Sequence, residues 1–155
     1  GEIILCYTLM GRLPDTDLER FVEAQERHFE NYERALAEIR NGRKVSHWIW
    51  YIFPQIIGLG SSCYANLYGI RNREEAEEYL HHKVLRKRLI EITNALLLVE
   101  ERSAEEIFGE LDAMKVKSSM TLFDAIAPNE IYADVLNTFY AGERCRRTLE
   151  HLART

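Results

Sequence analysis

With 155 residues, of which 46% are hydrophobic and 29% charged, the chain is long enough for one well-packed domain and too apolar for intrinsic disorder. Its 3 prolines and 8 glycines are too few for an all-β sandwich with many turns. The formal net charge of −5 argues against nucleic acid as a partner, because a phosphate backbone attracts basic surfaces.

The chain opens with an apolar run, Ile3–Met10. This run is far too short to cross a bilayer, which needs about 20 apolar residues. Since no longer apolar stretch follows, we predict no membrane partner. We interpret 1–15 as an N-terminal extension, with the run as a short strand or an extended cover over the core, and 16–155 as a single helical domain.

Helical patterns begin directly after this extension. Between Thr16 and Ile39, apolar residues recur three or four positions apart, and Gly42 follows as a suitable C-terminal glycine. Ser46 can cap one or two further helical turns, which Pro54 ends.

The rest of the chain continues in the same manner. Asn72 and Ser103 are suitable N-caps, and Ser103 with Glu106 fits a capping box. Together these patterns predict an all-α, single-domain bundle of about seven helices. The remaining helical segments are predicted over 62–68, 73–80, 83–101, 103–109, 112–126, 130–140 and 147–152.

Cysteine and histidine positions bear on metal binding and on redox setting. Cys6, Cys63 and Cys145 are widely spaced and form no Cys-x-x-Cys pair, which argues against a disulfide framework and against a cysteine-rich zinc site. The histidines show no ligand spacing either. We therefore predict no metal and no cofactor, and a reducing, cytoplasmic setting.

The strongest candidate for a functional site is the segment from Ser46 to Gln55. Five of the eight residues from 47 to 54 are histidine or aromatic. Large rings are either anchors of the core or a platform on which a flat ligand stacks. His47 and Gln55, near the two ends, each need a hydrogen-bond partner if buried. The candidate ligand contacts in this segment are Ser46, Trp48, Trp50, Tyr51 and Gln55.

Two cations, Arg43 and Lys44, stand directly before this segment. The free N–H groups and the positive dipole end of a helix that begins at Ser46 would suit a phosphate or a carboxylate. Basic residues that follow a helix are also common partners of its C-terminal dipole, so both interpretations stay open. Cations beside aromatic rings would suit a nucleotide or an ADP-ribose-like ligand.

Three hydroxyl residues, Ser118, Ser119 and Thr121, interrupt an otherwise apolar helix. They either bond back to the preceding turn or contact a ligand. A hydroxyl nucleophile needs a nearby base, so we predict His47 and Ser118 as catalytic residues and Ser119 and Thr121 as ligand contacts. Gln25 lies on the apolar face of the first helix, where burial requires a hydrogen bond, and is a further candidate ligand contact.

The motifs above resemble a bacterial and fungal family of uncharacterised all-helical proteins, a domain of unknown function often mislabelled calpastatin-like. The resemblance covers about Leu18 to Leu152 and implies a mainly helical fold and no established activity. The segments that carry it are Arg20-Phe21-Val22-x-Ala24-Gln25, Gly42-Arg43-Lys44-x-Ser46-His47-Trp48-x-Trp50-Tyr51-x-Phe53-Pro54-Gln55, Gly58-Leu59-Gly60-x-Ser62, Ala104-Glu105-x-Ile107-Phe108-Gly109 and Lys117–Phe123.

Two functions follow from the sequence as alternatives. The first is binding or hydrolysis of a phosphate-containing small molecule such as a nucleotide, NAD or ADP-ribose, stacked on the rings and held by the cations. The second is a non-enzymatic helical module for protein interaction, in which the aromatic run is core or a peptide groove. The sequence assigns neither an enzymatic activity nor an oligomeric state.

Overall fold

The computed structural model describes residues 17–155, and the predicted N-terminal extension with its apolar run lies outside them. The described residues form ten α-helices, so the predicted all-α class is confirmed and the predicted number of about seven is too low. The helices are α1 (Glu19–Arg27), α2 (Tyr32–Arg40), α3 (Ile49–Ile52), α4 (Cys63–Leu67), α5 (Arg73–His81), α6 (Lys83–Leu97), α7 (Ala104–Phe108), α8 (Glu110–Ile126), α9 (Ile131–Phe139) and α10 (Arg146–Ala153).

The segment that follows α3 is tied to the segment that precedes α5. An isolated parallel bridge joins Ile56 to Ile70, and apart from it residues 17–155 contain no β-structure. Ile57 N donates to Ile70 O, and Ile70 N donates to Gln55 O. None of the helices in this part of the chain is long and apolar enough to cross a bilayer.

The predicted helix over 16–39 is two helices, α1 and α2. At His28 the backbone leaves the helical conformation and becomes extended. The His28 ring packs edge-on against Tyr51, with ring centroids 4.9 Å apart. Asn31 then caps α2, since its side chain accepts a hydrogen bond from Arg34 N at 2.9 Å. The periodicity of apolar residues continues across this break, which is why it predicted one helix.

Most other helix ends follow the local chemistry of the sequence. Asn72 caps α5, and Ser103 forms the predicted capping box with Glu106. Gly42 has φ +77°, a left-handed conformation that suits glycine at the end of a helix. Ser46 does not cap α3, which begins only at Ile49, because the Ser46 backbone and hydroxyl are both bonded to Glu38.

The core is built around α8, the longest helix. It packs against α3, α5, α7, α9 and α10. Aromatic rings link these elements: Tyr79 lies between Phe21 and Phe123, with ring centroids 5.3 Å from each, and Phe123 reaches Tyr132 at 5.8 Å. Tilted and edge-on ring pairs of this kind stabilise a core beyond the area that they bury.

Cys63 and Cys145 lie within the described residues. Cys63 is buried and disulfide-bonded, whereas Cys145 is a free thiol, partly exposed at the start of α10. The expectation that the cysteines form no disulfide is therefore wrong at Cys63. Spacing along the sequence does not limit how closely two thiols approach in the fold.

A buried ion pair joins α1 to the region around α4 and α5. The Arg20 guanidinium donates to both carboxylate oxygens of Glu75, at 3.0 and 2.8 Å. It also donates to the carbonyl oxygens of Asp17, Leu67 and Gly69. These five hydrogen bonds match the five N–H donors of the guanidinium, so the buried charge is fully satisfied.

We expect Glu75→Gln to lower the free energy of unfolding by about 3 kcal/mol, because it leaves the buried Arg20 charge without its counter-ion. The matched control is Glu26→Gln, which removes the partner of Arg88 from a mostly exposed ion pair and costs less than about 1 kcal/mol. Urea unfolding of both variants measures the difference. Equal losses would contradict the special role of the buried pair.

Candidate functional site

The predicted aromatic platform is divided between the core and the surface. Trp48 and Tyr51 are fully buried, so they serve as core anchors. Trp50 is partly exposed and packs on Tyr64 with ring centroids 5.0 Å apart. The Nζ atom of Lys115 lies 5.2 Å from the centroid of the Trp50 ring, a cation–π contact at the surface. One of the three candidate rings is thus open to solvent.

Glu38 organises the start of this segment. One of its oxygens accepts from Val45 N at 2.7 Å, from Ser46 N at 2.9 Å and from the Trp48 indole N–H at 2.9 Å. The other accepts from the Ser46 hydroxyl at 2.6 Å. A single carboxylate on α2 therefore holds the loop and seats the buried indole.

The hydrogen bonds to Glu38 also affect its ionisation. Burial raises the pKa of the carboxyl group, but the donors of Ser46, Val45 and Trp48 stabilise the charged form and outweigh burial, so the pKa is lowered. Sequence reasoning missed this residue. An acidic residue eight positions before Ser46 carries no local pattern that marks it as a hub.

We expect Glu38→Gln to lower the free energy of unfolding by about 1–2 kcal/mol at pH 7, because charge-assisted hydrogen bonds are lost. Since the folded pKa is depressed, the difference from wild type is complete above the ordinary value of 4.5 and disappears as the pH falls through the folded value. Denaturant unfolding at pH 7 and below pH 4 measures it.

Glu33→Gln is the control for this prediction. Glu33 is exposed on the same helix and its side chain forms no hydrogen bond with another described residue, so its replacement should cost less than about 0.5 kcal/mol. A pH-independent effect of Glu38→Gln would show that shape, rather than charge, holds the loop.

The two predicted phosphate-binding cations differ in their surroundings. Lys44 is nearly buried and paired with Asp112 at 2.8 Å, and its ammonium group lies 5.2 Å from the Trp48 ring centroid. Arg43 is exposed and forms no ion pair with another described residue. Lys44 is therefore neutralised by the protein itself and has no free charge for a ligand.

The hydroxyl cluster of α8 mainly bonds to the protein. Ser118 donates to Met114 O at 3.0 Å, and Thr121 donates to Lys117 O at 2.8 Å, as residues bonded back to the preceding turn do. Ser119 is fully buried, and its hydroxyl has no hydrogen-bond partner among the described residues.

No hydrogen bond within residues 17–155 joins the side chains of His47, Ser118 and Gln25. His47 is exposed, and Gln55 is half-buried beside Gly60. Gln25 is buried, as predicted, and its amide donates to Tyr51 O at 2.8 Å and to the Tyr79 hydroxyl at 3.3 Å. The catalytic roles of His47 and Ser118 stay predictions.

A hollow of the described surface lies between α1, α2 and α6. It is an open cleft of about 1000 Å³, a size typical of small-molecule sites. Tyr32 and Leu36 form its apolar floor, and Gln25 reaches it through its carbonyl oxygen, which accepts from Arg88. A second hollow of about 610 Å³ continues the cleft along α2 and α6 and shares Arg40 with it.

The cleft carries four cations and three carboxylates. Arg88 is paired with Glu26 at 2.8 Å, and Glu91 accepts a hydrogen bond from the Tyr32 hydroxyl. Burial is the main reason that the pKa of Tyr32 is raised, so this hydroxyl stays protonated. The third carboxylate is Glu33. The cations that form no ion pair with another described residue are Arg40, Lys83 and Lys87.

The amino end of α6 adds partial positive charge to the cleft. Lys83 and Val84, the first two residues of the helix, both line the cleft. His82 caps the helix through its ring nitrogen, which accepts from Leu85 N. The N–H groups of the first turn and the helix dipole together favour an anion at this end.

The comparisons with known proteins agree with this architecture. A family model described as "Protein of unknown function (DUF1810)" matches residues 15–152. The chain belongs to this family. The resemblance stated from the motifs is thereby confirmed, and the family description carries no activity.

A solved structure of similar sequence shows the same fold. The crystal structure of the conserved hypothetical protein Rv1873 from Mycobacterium tuberculosis is 46% identical, with a TM-score of 0.86. The match covers 90% of this chain and 99% of that one. No curated protein matches the chain significantly.

Sequence reasoning missed the cleft, apart from Gln25. Its cations lie on two helices, 43 to 48 positions apart in the chain, and each looks like an ordinary surface residue. Lys83 and Lys87, one helical turn apart, were the available signal, since they predict one basic stripe on α6.

Proposed function

We propose that the protein binds a phosphorylated small molecule of the nucleotide type in the cleft between α1, α2 and α6. The observation that supports this most directly is the group of cations, Arg40, Lys83 and Lys87, that face one hollow without a carboxylate partner among the described residues. Cations left unpaired on two sides of a cleft favour an anion that reaches both sides.

The size and charge of the cleft favour a compact anion over a polymer. The whole chain carries a net charge of −5, which repels an extended polyanion. The cleft is lined by three carboxylates and four cations. A ligand that concentrates its negative charge at one or two phosphates matches this pattern better than a long phosphate backbone does.

The cleft also offers polar side chains to the part of such a ligand that carries no phosphate. The Glu33 carboxylate and the Asn41 amide line the cleft and form no hydrogen bond through their side chains with another described residue. A carboxylate is an acceptor for sugar hydroxyl groups, and an amide both donates and accepts. A phosphorylated sugar or nucleoside would satisfy both groups.

The proposal is binding rather than hydrolysis at this cleft. Its lining holds no serine, cysteine or histidine, the residue types that most often act as nucleophile or base. In the described part of the chain, no three histidine, cysteine or acidic side chains converge to hold a metal ion.

The test is isothermal titration of ATP, NAD, ADP-ribose and pyrophosphate into wild-type protein and into two variants, Lys87→Ala and Arg86→Ala. Arg86 is the neighbour of Lys87 on α6, is exposed, and does not line the cleft. We expect Lys87→Ala to weaken binding about tenfold, the cost of one charge-assisted hydrogen bond. Arg86→Ala should bind like the wild type.

The His47→Ala variant tests whether the ligand binds in the aromatic segment instead of the cleft. The exposed His47 lies outside the cleft lining, so its removal should leave the affinity unchanged. Equal weakening by Lys87→Ala and Arg86→Ala, or no binding of any of the four compounds, would refute the proposal. Loss of affinity only in His47→Ala would move the site to the aromatic segment.

The alternative function, a helical module for protein interaction, has one observation in its favour. Leu111 and Met114, one turn apart on α8, are 75% and 67% exposed, and exposed apolar side chains that cluster mark contact sites. Gel filtration of Leu111→Ser/Met114→Ser against wild type tests self-association through this face. Unchanged elution at high concentration would count against it.

A further inference from the structure

The hydroxyl cluster of α8 faces the free thiol at the start of α10. Cys145 is the N-cap residue of α10 and is partly exposed. Its backbone N–H donates to the Thr121 hydroxyl at 2.9 Å, and the Ser118 hydroxyl lies 3.4 Å from its sulfur. Two of the hydroxyls that the sequence singled out therefore position this cysteine.

Several hydrogen-bond donors surround the sulfur of Cys145. Cys145 makes no capping hydrogen bond through its side chain. The Thr148 hydroxyl is fully buried near the sulfur and has no partner in full hydrogen-bond geometry among the described residues. The N–H groups of Arg147 and Thr148, in the first turn of α10, also face the sulfur. A buried hydroxyl without a partner, aimed at a thiol, is a donor for a charged form of that sulfur.

Ser118 can change its hydrogen bond with the charge of the sulfur. Its single hydroxyl proton serves Met114 O at 3.0 Å or the sulfur at 3.4 Å. With a neutral thiol, the Ser118 hydroxyl donates to Met114 O, the nearer and stronger acceptor. With a thiolate, rotation about one side-chain bond gives the sulfur a charge-assisted hydrogen bond.

The charged residues next to Cys145 in the chain carry a positive surplus. Lys117 pairs with Glu143 at 3.4 Å, and Arg144 pairs with Asp124 at 3.2 Å, so these four charges balance. Arg146 and Arg147, exposed on α10, form no ion pair with another described residue and leave a positive surplus. Burial raises the pKa of the thiol, but the Ser118, Thr148 and Arg147 donors outweigh burial, so the pKa is lowered.

We propose that Cys145 is a peroxide-reactive thiol, oxidised by hydrogen peroxide or an alkyl hydroperoxide to a sulfenic acid. The thiolate sulfur attacks one peroxide oxygen, an S–O bond forms and the O–O bond breaks. The sulfur is oxidised by two electrons, and the second oxygen leaves as hydroxide or alkoxide, which takes a proton from water. This site is separate from the cleft and does not depend on a ligand there.

The experiment measures the rate of oxidation of the full chain by hydrogen peroxide at pH 7, with dimedone trapping and peptide mass spectrometry to locate the adduct. We expect Cys145 to react about fivefold or more faster than N-acetylcysteine, because more of the thiol is ionised. Cys145→Ser removes the adduct. Thr148→Val should slow the reaction about threefold or more.

Thr148→Ser restores the hydroxyl and should restore the rate, which separates donation from packing. Circular dichroism confirms that each variant is folded; if Thr148→Val is not, Ser118→Ala serves instead and should slow the reaction in the same direction. A Cys145 rate no higher than that of N-acetylcysteine would overturn the proposal. So would an unchanged rate in a folded Thr148→Val or Ser118→Ala variant.

Discussion

The buried pair of Arg20 and Glu75 sets the position of α1, and several other features follow from that position. An arginine whose five donors are all satisfied cannot shift without leaving a charge unpaired in the interior. The pair therefore holds α1 in one rotation against α4 and α5. In that rotation Phe21 enters the core, and Gln25, one turn later, reaches both the aromatic segment and the cleft.

Gln25 and Glu38 show how buried polar groups connect core and surface. Each binds backbone or side-chain groups of the segment from Val45 to Tyr51. Because these partners are distant in sequence, the segment is held by α1 and α2 rather than by its own short helix. That is why Trp48 and Tyr51 anchor the core, while Trp50 alone of the three rings stays open to solvent.

The charges of the surface are distributed unevenly, and the two proposed sites use this in different ways. The chain is acidic overall, yet the cleft keeps three cations without carboxylate partners among the described residues, and α10 begins with two more. In the cleft the surplus would hold an anion that comes from outside. At Cys145 the donors already in place around the sulfur would stabilise an anion that the protein itself forms.

Helix ends were predictable where the decisive chemistry is local: Asn72, Ser103 and Gly42 act on groups within four residues, so their roles are visible in the sequence. The break at His28–Asn31 was not predictable, because the apolar periodicity runs through it and a ring contact with Tyr51 accompanies it.

The same limit applies to the candidate site. Residue types identified Gln25 as a buried amide, but burial of Trp48 rather than Trp50 depends on Glu38, and the cleft exists only because α2 and α6 bring Arg40 and Lys87 to one hollow. Sequence patterns report short-range geometry, whereas the bond between Glu38 and Trp48, ten positions apart, and the meeting of Arg40 and Lys87 in one cleft are decided by tertiary packing.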